Sequence, residues 1–227
     1  MEECFLLSER RAPPVYGLLK FGKKCHLEQL RQDGLLHMKP LSYFTAIESD
    51  AVRGDPFEGT DQIIQPKHIG RWTLNHPVVG AFEVDPSELS GPMRFSGDKT
   101  SLCNVYCMFA ITQPVEGRLV DTRNVGFGDS FVLILNTKEF LERVTLAAQR
   151  AGFSGQCRLV DYFDEDDYSG RVGRFKKRSV FSYQNEFRIA IEPGSEEPVN
   201  LRVGSLQDIT SEALPSSEVS SLSISVK

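Results

Sequence analysis

Two periods of hydrophobicity divide the chain. Period-two alternation or short apolar runs mark strands at VYGLLKFG (15–22), LLHMKPLSYF (35–44, broken at Pro40), CNVYCMFAIT (103–112), SFVLILN (130–136) and GQCRLVDYF (155–163). β side chains alternate between faces, and fully buried strands lose their polar positions. A helical period appears in KKCHLEQLRQDG (23–34), where Leu27 and Leu30 share a face and Gly34 ends the run. It recurs in NTKEFLERVTLAAQRAG (136–152), with Asn136 as cap, Phe140, Val144, Ala147 and Ala148 as the stripe and Gly152 as the stop. Between them, TAIESDAVRGDPFEGTDQII (45–64) is polar and turn-rich. It is expected to leave the core and cross the surface, and to continue irregularly to about residue 100, with short strands at GRWTL and GAFEV, as a lid or an insertion.

The last strand raises the question of function. In SVFSYQNEFRIAIEP (179–193), alternation puts Phe181, Tyr183, Phe187, Ile189 and Ile191 on one face, interrupted by Asn185, and Gln184, Glu186 and Arg188 on the other. Such a polar face is either a water-facing stripe or the wall of a site. Few helices among many strands predict an α+β fold. The expected organisation is an N-terminal segment 1–14, a single domain 15–210 and a disordered Ser-rich tail 211–227.

Composition narrows the classes. The chain has 227 residues, 40% hydrophobic and 25% charged, enough for a substantial core. A net charge of −5 argues against binding nucleic acid through bulk electrostatics, although a local basic patch stays open. No run approaches the roughly 18 apolar residues a membrane helix needs, so no membrane partner is expected. Five scattered cysteines point to a reducing, cytoplasmic setting. Cys103 and Cys107 lie about 13 Å apart along a strand, too far to share a zinc ion, and the four histidines have no zinc spacing, so no metal site is assigned to them.

Three stretches can carry chemistry. RGDPFEG offers Arg53, Asp55 and Glu58 for a metal, an amine or a phosphate, or simply makes a turn. DYFDEDDY gathers Asp161, Asp164, Glu165, Asp166 and Asp167 but lacks the glycine and final glutamate of an EF-hand, which favours a solvated loop. GRVGRFKKR, with Arg171, Arg174, Lys176, Lys177 and Arg178, suits an anion or offsets its acidic neighbour.

LLKFGKKCHLEQLRQDGLLHMKPLSYF followed by RGDPFEG, and later FKKRSVFSYQNEFRIAI, resembles a bacterial domain family of unknown function over about residues 15–192. Its marks are an Asp-Pro-x-Glu turn and a late strand with a lysine, an aromatic and Glu-x-Arg. The order of elements also resembles ADP-ribosyltransferase-like folds, with a bent or split, mostly antiparallel sheet. One branch of those enzymes carries Gln-x-Glu on the late strand, as Gln184-Asn185-Glu186 does here.

That resemblance implies NAD as substrate and an unknown protein or nucleic-acid acceptor, in a toxin or a bacterial or phage conflict protein. Glu186 becomes the carboxylate facing the nicotinamide ribose, and Gln184 directs the acceptor. Tyr43 is the stacking aromatic and Lys20 the first-strand polar residue. Arg53, Lys177, Tyr183 and Arg188 complete the NAD-contacting set. Lys20 stands where an arginine or histidine is usual, and no Ser-Thr-Ser strand is present. Three readings therefore stay open: a transferase, a metal-dependent nuclease or phosphodiesterase using Asp55, Glu58 and Asp164 to Asp167, and a non-enzymatic inhibitor or interaction protein with an acidic surface.

Overall fold

The computed structural model describes residues 13–47, 52–97, 102–112 and 118–224. The fold is α+β, with mostly antiparallel sheets and few helices. Eight strands form the main sheet: β1 (Gly17–Gly22), β2 (Leu35–Pro40), β3 (Asn104–Ile111), β4 (Ser130–Ile134), β5 (Ser154–Leu159), β6 (Glu186–Glu192), β7 (Val199–Arg202) and β8 (Leu214–Pro215). Three α-helices accompany them: α1 (Lys24–Asp33), α2 (Leu41–Ala46) and α3 (Thr137–Arg150).

The apolar strand β3 lies at the centre. One of its edges pairs with β6 from Asn104↔Ile191 to Phe109↔Glu186, and β5 continues the sheet beyond β6. Its other edge is shared. β1 pairs with the C-terminal end, through Leu19↔Phe109, and β2 with the N-terminal end, through Lys39↔Val105. Along Tyr106–Met108 that edge has no strand partner in either register, so the sheet forks there. One arm carries β1, β4 and β8; the other carries β2 and β7.

Helix α1 joins the arms. It ends at Gly34, whose φ of 61° and approach to the Gly204 carbonyl leave no room for a Cβ atom. Helix α3 forms as its pattern predicts: the Asn136 side chain accepts from the Glu139 N–H at 3.0 Å, and Phe140, Val144 and Ala148 are buried. Both helices cover one face, where Leu18, Met108, Val132, Phe187, Ile189 and Ile191 meet Leu27 and Phe140. The opposite face carries Leu19, Phe21, Phe109 and Phe131 under Val219, and Val105 and Ala190 under Leu41 and Phe175.

Several expectations are corrected. The second strand stops at Pro40, and Leu41–Ala46 is helical: proline offers no N–H to continue a ladder, and it stands as N-cap to α2. The 155–163 run is two strands, because Asp161–Phe163 leaves β5 to pair in parallel with Lys176–Arg178. Residues 179–184 are a 3-10 turn, so the late strand starts only at Glu186. The segment around RGDPFEG does not cross the surface; Asp55, Glu58 and Ile63 are buried over the second face. The expected strands at 72–76 and 80–84 form an exposed hairpin. The tail 211–224 is ordered against the sheet: Leu214–Pro215 pairs with β4, Ser216 hydrogen bonds to Asp129 and Gly128, and Val219 is buried. Its sparse aliphatic residues suffice because they meet the apolar cluster around Phe131. Residues 1–12, which hold most of the expected N-terminal segment, and residues 225–227 of the tail lie outside the described residues.

Candidate functional site

The fork opens a cavity of about 580 Å³, within the range of small-molecule sites. Lys20 to Gly22 of β1 and Leu35, His37 and Lys39 of β2 form its sides, and Tyr106 to Phe109 of β3 form its floor. Lys20 bridges the unpaired edge: its Nζ donates to the Cys107 carbonyl at 2.7 Å and sits 4.2 Å from the Tyr106 ring centre. Burial lowers its pKa, with Arg53 adding to the effect, against the pull of Cys107 and Glu186.

Asn185 sets the late end of the cavity. It takes a left-handed conformation, φ 35°, which asparagine tolerates better than most residues. Its amide donates to the Ala110 carbonyl at 2.6 Å and to Thr112 Oγ1 at 2.8 Å, and its own carbonyl accepts from Ala110 N–H. The break it makes in the chain brings Gln184 and Glu186 to the cavity wall together. From Glu186 onward the alternation holds: Glu186, Arg188 and Ala190 share one face, and Phe187, Ile189 and Ile191 the other. The polar face is not washed by water, since Gln184 and Glu186 are each 4% exposed and Arg188 is 0%.

Behind the wall lies a quartet of charges. Glu186 Oε1 accepts from Arg188 Nε at 2.6 Å and Oε2 from Lys177 Nζ at 2.8 Å. Glu58, from RGDPFEG, pairs with the same two cations, meeting Arg188 Nη1 and lying 3.5 Å from Lys177 Nζ. Burial pushes the Glu186 carboxyl up, but Arg188 and Lys177 outweigh it and hold the group well below the usual carboxylate range. For Glu58, burial outweighs the same two cations and raises the pKa, with Glu186 adding to the rise. Lys177 is held charged because Glu186 and Glu58 overcome its burial. Burial pushes the neighbouring Cys107 thiol up to about 12.

Gln184 is pinned. Its Oε1 accepts from Lys177 Nζ at 3.0 Å, and its Nε2 donates to the Val52 carbonyl at 2.8 Å. Arg53 reaches the cavity beside Phe127, donating to the Phe127 carbonyl at 3.0 Å. Tyr43 lines it too, from α2 and not from a second strand, with Lys39 Nζ 4.5 Å from its ring centre. Among the described lining residues Glu186 is the one carboxylate, facing Lys20, Lys23, Lys39, Arg53 and Lys177.

Six of the eight expected site residues therefore meet at one cavity: Lys20, Tyr43, Arg53, Lys177, Gln184 and Glu186. Arg188 does not. It is sealed behind Glu186 and acts as a support, a placement that strand alternation alone cannot separate from direct contact. Tyr183 also stays off the lining; it stacks under Arg123, and its carbonyl accepts from Asn124. Four of the six carboxylates that a metal site was to draw on are engaged by cations: Asp55 by Arg178 at 3.0 Å, Glu165 by Arg178 at 2.8 Å, Asp167 by Lys67 at 2.7 Å, and Glu58 by Arg188 and Lys177. Among the described residues no cluster of three or more His, Cys, Asp or Glu is arranged to hold a metal ion.

Sequence reasoning missed the lining residues His26, His37, Phe44, Asn124, Phe127 and Asn200. They come from separate elements with no shared motif, and only pairing such as Asn200↔His37 between β7 and β2 brings them near. There His37 Nδ1 and Asn200 Oδ1 lie 2.8 Å apart. No family model, curated protein or solved structure matches the chain. No helix among the described residues is long and apolar enough to cross a membrane.

Proposed function

We propose that the protein is an NAD-dependent ADP-ribosyltransferase acting on a protein or nucleic-acid acceptor, of the kind used as toxins or in conflict between bacteria and phage. The observation that carries this reading is the position of Glu186. An ionised, nearly buried carboxylate stands as the one carboxylate among the described residues on the wall of a cavity whose lining also carries several cations and aromatic residues. Anionic diphosphate suits the cations Lys20, Arg53 and Lys177, and a flat nicotinamide suits Tyr43 and Phe44.

In the reaction, the bond between the ribose anomeric carbon and the nicotinamide nitrogen breaks, and nicotinamide leaves with the bonding pair. Positive charge develops on the ribose, and the fixed charge of Glu186 stabilises it without reorganisation. The acceptor nucleophile then bonds to the anomeric carbon, and its proton passes to bulk solvent. Gln184, fixed from both ends of its amide, presents a rigid surface beside that carbon for the acceptor.

The test is release of nicotinamide from NAD by wild type and by Glu186→Gln. Wild type is expected to turn over NAD and the variant to lose about 100-fold or more in kcat. Equal turnover by the two proteins, or none by either across a panel of acceptors, sinks the reading.

A further inference from the structure

We infer that Glu58 is a positioning residue for this site, acting by charge through Lys177 and Arg188 to keep Glu186 electrostatically available to the cavity. The inference rests on the transferase reading above. Its structural basis is the composition of the buried quartet: two cations, Lys177 and Arg188, and two carboxylates, Glu186 and Glu58, with Glu58 and Arg188 side chains wholly buried.

Two features make Glu58 more than a strut. Its Oε1 is in close contact with Arg188 Nη1 and its Oε2 lies 3.5 Å from Lys177 Nζ, so it engages both of the cations that hold Glu186. Its negative charge is therefore shared between the same two cations that Glu186 depends on. Glu58 also lies off the cavity lining, whereas Glu186 and Lys177 belong to it. It cannot touch substrate and can act only by dividing the cations' field.

The sign of the effect follows from counting. Above the raised titration of Glu58, where its carboxylate is ionised and where the assay is run, the quartet is neutral, and Glu186 presents its charge against cations already half satisfied elsewhere. Glu58→Gln, nearly isosteric, leaves the quartet at +1 against the cavity wall. A ribose developing positive charge then meets a weaker negative field, whereas NAD, an anion, meets a more favourable one. The variant should lose turnover without losing affinity.

The experiment compares wild type, Glu58→Gln and Glu58→Asp for NAD turnover, with thermal melts to verify folding. For Glu58→Gln, kcat is expected to fall about 10- to 100-fold while KM for NAD stays level or decreases. Glu58→Asp keeps the charge and should keep kcat within about threefold of wild type. A KM rise that accounts for the loss, an equal kcat loss in the Asp and Gln variants, or failure of Glu58→Gln to fold makes Glu58 a structural strut and overturns the inference. An active wild type with an unaffected Gln variant overturns the inference alone; a wild type inactive on NAD overturns the functional reading and the inference together.

Discussion

Lys177 and Arg188 illustrate how a side chain's worth depends on its surroundings. Each is a cation taken out of water, at a cost repaid only by two carboxylates close by. Removing either leaves uncompensated buried charge. Arg188→Ala and Lys177→Ala are therefore expected to lose about 3–5 kcal/mol in urea unfolding, far beyond a surface lysine such as Lys138. Glu186 also carries a pH signature. Its folded pKa is depressed, so its contribution to stability is present above the unfolded carboxylate value of about 4.3 and fades as pH falls through the folded value. Glu58 has the opposite sign: its raised pKa favours the protonated group in the folded state, so stability is lost as pH rises from its unfolded value towards its folded one. Urea melts between pH 3 and pH 7 should accordingly show a shallower acid-side loss of stability in Glu186→Gln than in wild type. An identical slope in the two proteins would mean that Glu186 is not depressed.

At the scale of elements, the decisive feature is the break before β6. Alternation assigns Gln184 and Glu186 to one face of a continuous strand, and the two do line one cavity and share Lys177, but for a different reason: a left-handed Asn185 joins a 3-10 turn to a strand. Asn185→Ala should cost about 1–3 kcal/mol, because a Cβ residue resists that conformation and two side-chain hydrogen bonds disappear. Asn185→Gly, which tolerates the conformation, should recover part of the stability in urea melts. If the proposed activity holds, NAD turnover should fall more in the alanine variant than stability alone explains, since Gln184 loses its register with Glu186.

β1, α1, β3, β4 and α3 were all legible in the sequence because periodicity reports which side of an element is buried. The helix after Pro40 was not, since the apolar residues of LSYF fit either period over so short a run. The burial of Asp55 and Glu58 was illegible for another reason. A polar, turn-rich segment normally marks the surface, and only the distant Arg178, Arg188 and Lys177 let it be buried.

For the molecule as a whole, the C-terminal segment closes one arm of the forked sheet. Ending the chain after Glu212 removes β8 and Val219 from the cluster around Phe131. A loss of about 2–4 kcal/mol is expected, as a lowered melting temperature, whereas a disordered tail could be removed without effect. The fork itself is a property of the whole sheet, because β1 and β2 compete for one edge of β3, and their partial pairing leaves the gap that becomes the cavity.

By itself the sequence determined the α+β class and most strand and helix positions of the main sheet, since local periodicity needs no knowledge of distant neighbours, whereas Glu186, Gln184, Lys20 and Lys177 became candidates through the resemblance of short motifs. Only the tertiary structure decided that Glu58 backs Glu186, that Arg188 supports without touching the cavity, and that the serine-rich end is packed. Those outcomes depend on contacts between residues far apart in the chain, such as Glu58 and Arg188, and on whether each buried charge finds its partner, which no local pattern records.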